Sequence, residues 1–455
     1  MKKEELVTIS KFNRDGEGVG QQADSEKSWN VRFTVPGDEV RIQPYGRREG
    51  RLLEVIQASP ERVTPRCVHF AMCGGCQWQM LEARQQLQLK EAFIQQLFEG
   101  LGGELRPILA SKPWQYRNKM EFSFSGDKAG LKYLGLMMAG GRGKVFNLQE
   151  CWLVNPWFAT CLQAVRMWWE QSSLLAFHPP QNSGSLRTLT MREGLRTGDR
   201  LVMLTVSGEP TYALKKNEIA HFVEAIQQSV NPEKGELSIY LRIHQQIKGK
   251  PTEFYEMHLA GPESYREELT VTGQTVTFSV SPSAFFQPNP IQAETLYSQA
   301  LQLAELQPRA LVYDLYCGTG TLGIIAALHG CRVLGIELSP ESSLDARENA
   351  KANHLEGMEV ITGSVGSVLA SRRALGEKPD LVMVDPPRVG LEPAAIEEIL
   401  MLAPPKILYI SCNPKTQALN AREFLQQGYQ LQVLQPVDQF PQTTHVENIA
   451  LFVRQ

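Results

Sequence analysis

From Phe278 to the C-terminus, short apolar runs recur at intervals that helical stretches fill. The runs near 310–316, 332–337, 379–384 and 406–411 are apolar at consecutive positions, which suits strands buried on both faces. Such strands alternating with helices predict an α/β domain over residues 276–455, a Rossmann-like, doubly wound parallel sheet. Residues 104–275 mix the two periodicities, with strands predicted over 120–124, 201–206 and 237–242 and helices over 155–171 and 212–229, so an α+β central domain is expected. Residues 1–60 lack helical periodicity. They alternate β-rich runs with turns such as Asp15-Gly16-Glu17-Gly18, which predicts a small OB-like β-barrel. Between barrel and central domain, residues 61–103 hold a cysteine-rich stretch and a helix over 81–101 that Gly102-Gly103 ends.

Four of the apolar runs end in chemistry. The first closes on Asp314-Leu315-Tyr316-Cys317-Gly318-Thr319-Gly320, where glycines let a ligand approach the backbone. The next strand ends on Glu337, a carboxylate placed to accept from both hydroxyls of a ribose. The loop lacks both GxGxxG and a Walker lysine, which argues against a dinucleotide and a nucleoside triphosphate. S-adenosylmethionine (SAM), an adenosine without phosphates, fits better. A third run ends on Asp385-Pro386-Pro387-Arg388, a loop stiffened by two prolines. Amine methyltransferases place an aromatic residue where Arg388 stands, which argues against exocyclic-amine chemistry. The fourth run, Leu408-Tyr409-Ile410-Ser411, delivers Cys412 just before Asn413-Pro414. A thiol beside a methyl donor suits carbon methylation at pyrimidine C5, which needs a nucleophile at C6 and then a base to take the C5 proton. Glu447, just before the last strand, is the candidate base, and His445 is its rival.

The net charge of −3 excludes a global positive field, so any polyanion surface must be local. One stretch qualifies: Arg106, Lys112, Arg117, Lys119, Lys128, Lys132, Arg142 and Lys144, interleaved with Trp114, Tyr116, Phe122, Phe124 and Tyr133. It reads equally as a single-stranded nucleic-acid groove or as a sheet with a charged face. Met1-Lys2-Lys3-Glu4-Glu5 has no apolar signal region, and no apolar run reaches the ~18 residues of a membrane span. A soluble, cytoplasmic, monomeric protein is expected, whose cysteines are ligands, nucleophiles or core residues. Of the eight cysteines, Cys67-x5-Cys73-x2-Cys76 and the distant Cys151 form a three-plus-one set that could hold zinc or an iron–sulfur cluster, the uneven spacing suiting [4Fe–4S] better.

Taken together, Asp314 to Gly320, Asp385 to Gly390, Ser411 to Pro414, Phe440 to Glu447 and Ser283-Ala284-Phe285-Phe286-Gln287-Pro288-Asn289 resemble the uracil-C5 RNA methyltransferases that make 5-methyluridine. The resemblance spans nearly the whole chain and is nearest to the 23S rRNA branch, which carries an N-terminal TRAM barrel. It implies a [4Fe–4S] cluster on Cys67, Cys73, Cys76 and Cys151, and SAM held by Gln287, Tyr316, Gly318, Glu337 and Asp385. It further implies Cys412 as nucleophile, Glu447 as base, Phe285 packed on a flipped uracil, and RNA as partner. Two residues depart from the family pattern: Thr321, where Asn is usual, and Ser364, where an amide or acid is expected. A tRNA or dual-site rRNA substrate, a cytosine-C5 enzyme and a non-catalytic RNA-binding assembly protein are the alternatives. The intact Cys412–Glu447 pair argues against the last, and the absence of a Pro-Cys context argues against the cytosine reading.

Overall fold

A computed structural model describes residues 4–22, 27–141, 143–247, 249–355 and 357–455. Residues 1–3 of the N-terminal reading and Arg142 of the basic stretch lie outside them.

The N-terminal strands β1 (Glu5–Phe12), β2 (Gly18–Gln21), β3 (Ser28–Val31), β4 (Glu39–Tyr45) and β5 (Glu49–Gln57) close into a barrel in the order β1-β2-β3-β5-β4. Alternate residues Val7, Ile9, Trp29, Val31, Val40 and Ile42 fill it. The space is tight: a Cβ at Gly18 would stand 2.1 Å from the Thr34 hydroxyl. Where the chain leaves the barrel, Arg62 grips it. Its guanidinium donates to both oxygens of buried Asp38 and, at 2.7 Å, to the carbonyl of Phe33.

Helix α1 (Ala83–Leu97) follows, and then β6 (Glu104–Leu105), which edges the C-terminal sheet. The central domain holds β7 (Lys119–Gly126), β8 (Lys132–Met137), β9 (Val145–Asn147), α2 (Trp157–Glu170), β10 (Leu186–Glu193), β11 (Arg200–Ser207), α3 (Lys216–Ser229), β12 (Leu237–Gln245) and β13 (Glu253–Ala260). Its seven strands run β13-β12-β11-β10-β7-β8-β9, and α2 and α3 share one core with them through Phe122, Leu189, Phe158, Trp169 and Phe222. Helix α3 starts later than the pattern suggests, because Pro210–Tyr212 forms a separate 3-10 turn. The hairpin β14 (Tyr265–Val271) and β15 (Gln274–Val280) shares its core with α4 (Pro290–Ala304).

The C-terminal domain then alternates β16 (Leu311–Leu315), α5 (Thr321–Leu328), β17 (Arg332–Glu337), α6 (Pro340–Ala352), β18 (Met358–Thr362), α7 (Val365–Ala374), β19 (Leu381–Val384), α8 (Pro393–Leu402), β20 (Lys406–Ser411) and α9 (Pro414–Gln426). It ends with β21 (Tyr429–Val437) and β22 (Glu447–Arg454). The sheet order is β18-β17-β16-β19-β20-β22-β21-β6, with β16 to β20 mutually parallel and β22 antiparallel to both neighbours. Alternation along the strands splits the core in two: Val312, Met383, Leu408 and Ile410 face one side, and Tyr313, Val382, Ile407 and Tyr409 the other. Strand order reverses between β16 and β19, so their loops splay apart and open a crevice there. Among the described residues, no helix is long and apolar enough to cross a membrane.

Replacing Arg62 with Met should destabilise the barrel by about 3–5 kcal/mol, because it strands the Asp38 carboxylate in the interior. The double variant Arg62→Met/Asp38→Leu should recover part of that loss, and thermal unfolding of both proteins measures it.

Candidate active site

Apart from the rival base His445, every residue singled out for the cofactor, the nucleophile, the base and the flipped base lines one cavity of about 980 Å³ over the crevice: Phe285, Gln287, Tyr316, Gly318, Glu337, Asp385, Cys412 and Glu447. Thr321 and Ser364 line it too. The volume sits at the upper end of small-molecule sites.

The loop after β16 is shaped for close approach. Tyr316 adopts φ +62°, Gly318 +53° and Gly320 +83°. A Cβ at Gly318 would meet nothing within 4 Å, so the backbone there faces open space. Both oxygens of Glu337 accept from backbone, at 3.0 Å from Gly318 N and 2.8 Å from Ser339 N. Asp314 accepts from Gly323 N at 2.8 Å, tying strand β16 to helix α5. Oε2 of buried Glu447 has no hydrogen-bond partner among the described residues. A bound polar group or a water can satisfy such an atom.

The thiol and the acid meet through strand register. Ser411 pairs with Asn448, so one step beyond the last pair of β20 and β22 Cys412 faces Glu447. Glu447 is 2% exposed, whereas Phe285 stands at the mouth, 63% exposed. Burial, and then the nearby Asp385 carboxylate, hold Glu447 well above the usual carboxylate range, with Arg388 opposing. Burial lifts Asp385 to about 7. Asp314 is lifted to about 7 by burial, with Asp385 and Glu337 adding to it. Burial, Glu447 and Asp385 push the Cys412 thiol up to about 12, and the Arg388 guanidinium works the other way. The free site therefore favours the protonated thiol and the protonated Glu447 carboxyl, and a cation placed among them would favour the charged forms.

His445 lies elsewhere. It lines a second groove of about 800 Å³, between the barrel, α1 and the start of α9, which shares only Arg388 and Cys412 with the first cavity. Burial, with Arg388, Lys90 and Arg117, drops its imidazole to about 4, so it is neutral at physiological pH.

The sequence pattern missed several lining residues. Tyr297 of α4, a hydrogen-bond partner of Gln287, and Phe440 carry no motif of their own. Arg117 was visible only within the basic stretch. The aromatics of that stretch do not form an open stacking groove: Tyr116, Phe122 and Phe124 are buried, and the Tyr116 hydroxyl donates to the Pro441 carbonyl at 3.0 Å. The strand pleat turns the phenylalanines into the core under α2.

The four cysteines of the metal expectation lie outside this cavity. Among the described residues, no group of three or more His, Cys, Asp and Glu side chains is close enough to hold a metal ion. Cys67, Cys73, Cys76 and Cys151 do come within range of one another's charge, and burial raises all four thiols, Cys76 to about 12. As thiols they settle into local contacts, such as Gly75 N donating to Cys73 Sγ at 3.3 Å.

Residues 256–455 match the tRNA (uracil-5-)-methyltransferase family. An uncharacterised RNA methyltransferase of Protochlamydia amoebophila is 53% identical, over 92% of this chain and 99% of its own length. One from Caldanaerobacter subterraneus is 34% identical over 99% of each chain. This chain belongs to the uracil-C5 RNA methyltransferase family. Among solved structures, the tRNA (uracil-54, C5)-methyltransferase of Pyrococcus abyssi, crystallised with S-adenosyl-L-homocysteine, is similar over 99% of this chain and all of that one, with a TM-score of 0.75 and 25% identity. Thus the barrel, central domain and C-terminal sheet form one architecture shared with a uracil-C5 methyltransferase.

The raised Asp385 carboxyl has a thermodynamic consequence for this methyltransferase. A folded-state value of about 7 lies above that of the unfolded chain, so the acid favours folding at low pH and loses that contribution as pH rises from about 4 to about 7. Asp385→Asn should raise the melting temperature of the ligand-free protein at pH 8, and the gain should shrink as pH falls toward 4. A gain independent of pH would show that the carboxyl is not desolvated.

Proposed function

We propose that this methyltransferase uses SAM to methylate C5 of a uridine in RNA, with Cys412 as nucleophile and Glu447 as base. The observation that carries the reading is the Cys412–Glu447 juxtaposition across β20 and β22, inside the cavity that also holds Asp385 and the glycine loop. SAM fits that cavity: the open backbone at Gly318 and the fixed Glu337 suit an adenosine, and the buried carboxyls suit a cation. Gln287, Tyr316, Gly318, Glu337 and Asp385 would hold it, and when bound it supplies a methyl group on a sulfonium.

The protein's own residues do the rest. Phe285 at the mouth offers a face for a uracil taken out of its stack. The Arg388 charge favours the Cys412 thiolate, which adds to C6 and moves the C5–C6 electrons toward C5 and O4. Once C5 carries the methyl group, Glu447 takes the C5 proton. The freed electron pair re-forms C5–C6 and expels the thiolate. His445, in the other groove, is less well placed for that proton.

The finer substrate proposed is 23S rRNA, on the strength of the barrel and the cysteine set together. A tRNA substrate is the second reading, favoured by the full-length likeness to the Pyrococcus abyssi tRNA enzyme. Mapping 5-methyluridine in rRNA and tRNA with and without the gene decides between them. We also propose that the four cysteines take a [4Fe–4S] cluster. Protein purified without oxygen should be brown with about four irons per chain, and one zinc in a colourless preparation overturns this.

Two substitutions test the chemistry. Cys412→Ala should abolish turnover while leaving S-adenosylhomocysteine affinity within a few-fold. Glu447→Gln should stall after methyl transfer, so a covalent protein–RNA species already carrying the methyl group should survive denaturing electrophoresis. An unmethylated adduct, or normal turnover, would remove Glu447 from the role of base.

A further inference from the structure

Nine residues separate the last pair of the β21–β22 hairpin, Val437 with Glu447, and this connection, 438–446, is held by polar contacts from four directions. Helix α1 supplies two of its buried side chains. Lys90, 1% exposed, donates to Asp438 Oδ1 at 2.6 Å and to the Phe440 carbonyl at 3.0 Å. Gln86 accepts from Gln442 N at 2.9 Å and donates to its Oε1 at 3.1 Å, and Gln442 itself sits at φ +69°. The backbone of Gln77 and Trp78 donates to the Gln442 carbonyl, and the Tyr116 hydroxyl to that of Pro441. On the cofactor side, Gln439 donates to Gln287 and to the Asn289 carbonyl. Inside the connection, Thr443 accepts from His445 N and donates to Phe440 O, so the chain is hydrogen-bonded up to two residues before Glu447.

A buried ion pair is a poor way to gain stability, since an apolar pair of similar size does as well or better. Direction is what it adds. We propose that Lys90 and Gln86 are positioning residues for Glu447: acting through the 438–446 connection, they fix where β22 begins and so where the base stands relative to Cys412. This rests on the functional reading above. If Glu447 acts only after methyl transfer, loosening the connection should slow proton removal more than cofactor binding or methyl transfer.

The test uses Lys90→Met, Gln86→Leu and the double variant Lys90→Met/Asp438→Leu in the full-length protein. The readouts are melting temperature, S-adenosylhomocysteine affinity, turnover on an RNA that the wild type methylates, and the fraction of RNA held as methylated covalent adduct. Lys90→Met leaves Asp438 unpaired and should melt lower. The double variant removes both charges and should regain stability, yet turnover should stay down by about ten-fold or more, the scale of a misplaced catalytic group. Methylated adduct should accumulate in the double variant and in Gln86→Leu, with S-adenosylhomocysteine affinity within a few-fold of wild type. If turnover returns with stability in the double variant, or if activity falls without adduct, the contacts are structural only and the proposal fails. Wild-type protein that places no methyl on any RNA uridine sinks the functional reading instead. The two failures are therefore distinguishable.

Discussion

The site depends on one strand running the wrong way. In the parallel set β16 to β20, every strand brings its C-terminal end to the same edge, so Tyr316, Glu337, Asp385 and Cys412 all arrive there as strand ends or the residues just after. A further parallel strand would bring its beginning to the far edge. Because β22 inserts antiparallel between β20 and β21, its first residue, Glu447, reaches the edge where the others end. Register then does what sequence proximity cannot. The pairing of Ser411 with Asn448 aligns Cys412 and Glu447 across neighbouring strands, and a slip of one residue would turn Glu447 to the other face.

Gathering acids at one edge has an electrostatic cost, and that cost is informative. Asp314 and Glu447 are deeply buried and Asp385 half-buried, and burial is the leading cause of each raised value. A fold selected for stability alone would place amides or apolar groups there. Three desolvated carboxyls beside one thiol make sense if the site is completed by positive charge, which would draw the acids toward their ionised forms and the thiol toward thiolate. Arg388 supplies part of that charge to Cys412, and the rest has to come from what the cavity takes in.

Much of this was legible in the sequence, because local chemistry marks the ends of strands. The glycine turn at 314–320, the Asp385-Pro386-Pro387 stop and the Ser411-Cys412-Asn413-Pro414 break each announce themselves within a few residues. What stayed hidden depends on distant partners. Strands β18 and β21 escaped because Met358–Thr362 and Tyr429–Val437 interleave polar residues instead of running apolar at consecutive positions, as the predicted strands of the sheet do. Phe122 and Phe124 looked like stacking platforms among lysines and arginines, but the strand pleat sends them into the core. The cysteine spacing was plain, yet whether four thiols close on a metal is set by their protonation and by the metal itself. Lys90 sits in Gln-rich α1 and reads as surface. Only the approach of Asp438, far along the chain, turns it into an interior group.

That last case bears on why the residues before the C-terminal sheet stay attached to it. The carbonyls of Phe440, Pro441 and Gln442, three in succession, are each taken by a different part of the chain: α1 through Lys90, the central domain through Tyr116, and the cysteine segment through the backbone of Gln77 and Trp78. The barrel joins through Trp78, whose indole donates to the Gly16 carbonyl at 2.9 Å. Apolar contacts could hold these parts together, but they tolerate sliding by a fraction of a side chain. Hydrogen bonds to consecutive carbonyls do not, because each has its own direction and reach. A displacement of the barrel, the cysteine segment or the central sheet is therefore carried into the connection that ends at Glu447. The barrel, the cysteine segment and the central sheet thus have a physical route by which to shift the start of β22 and with it Glu447.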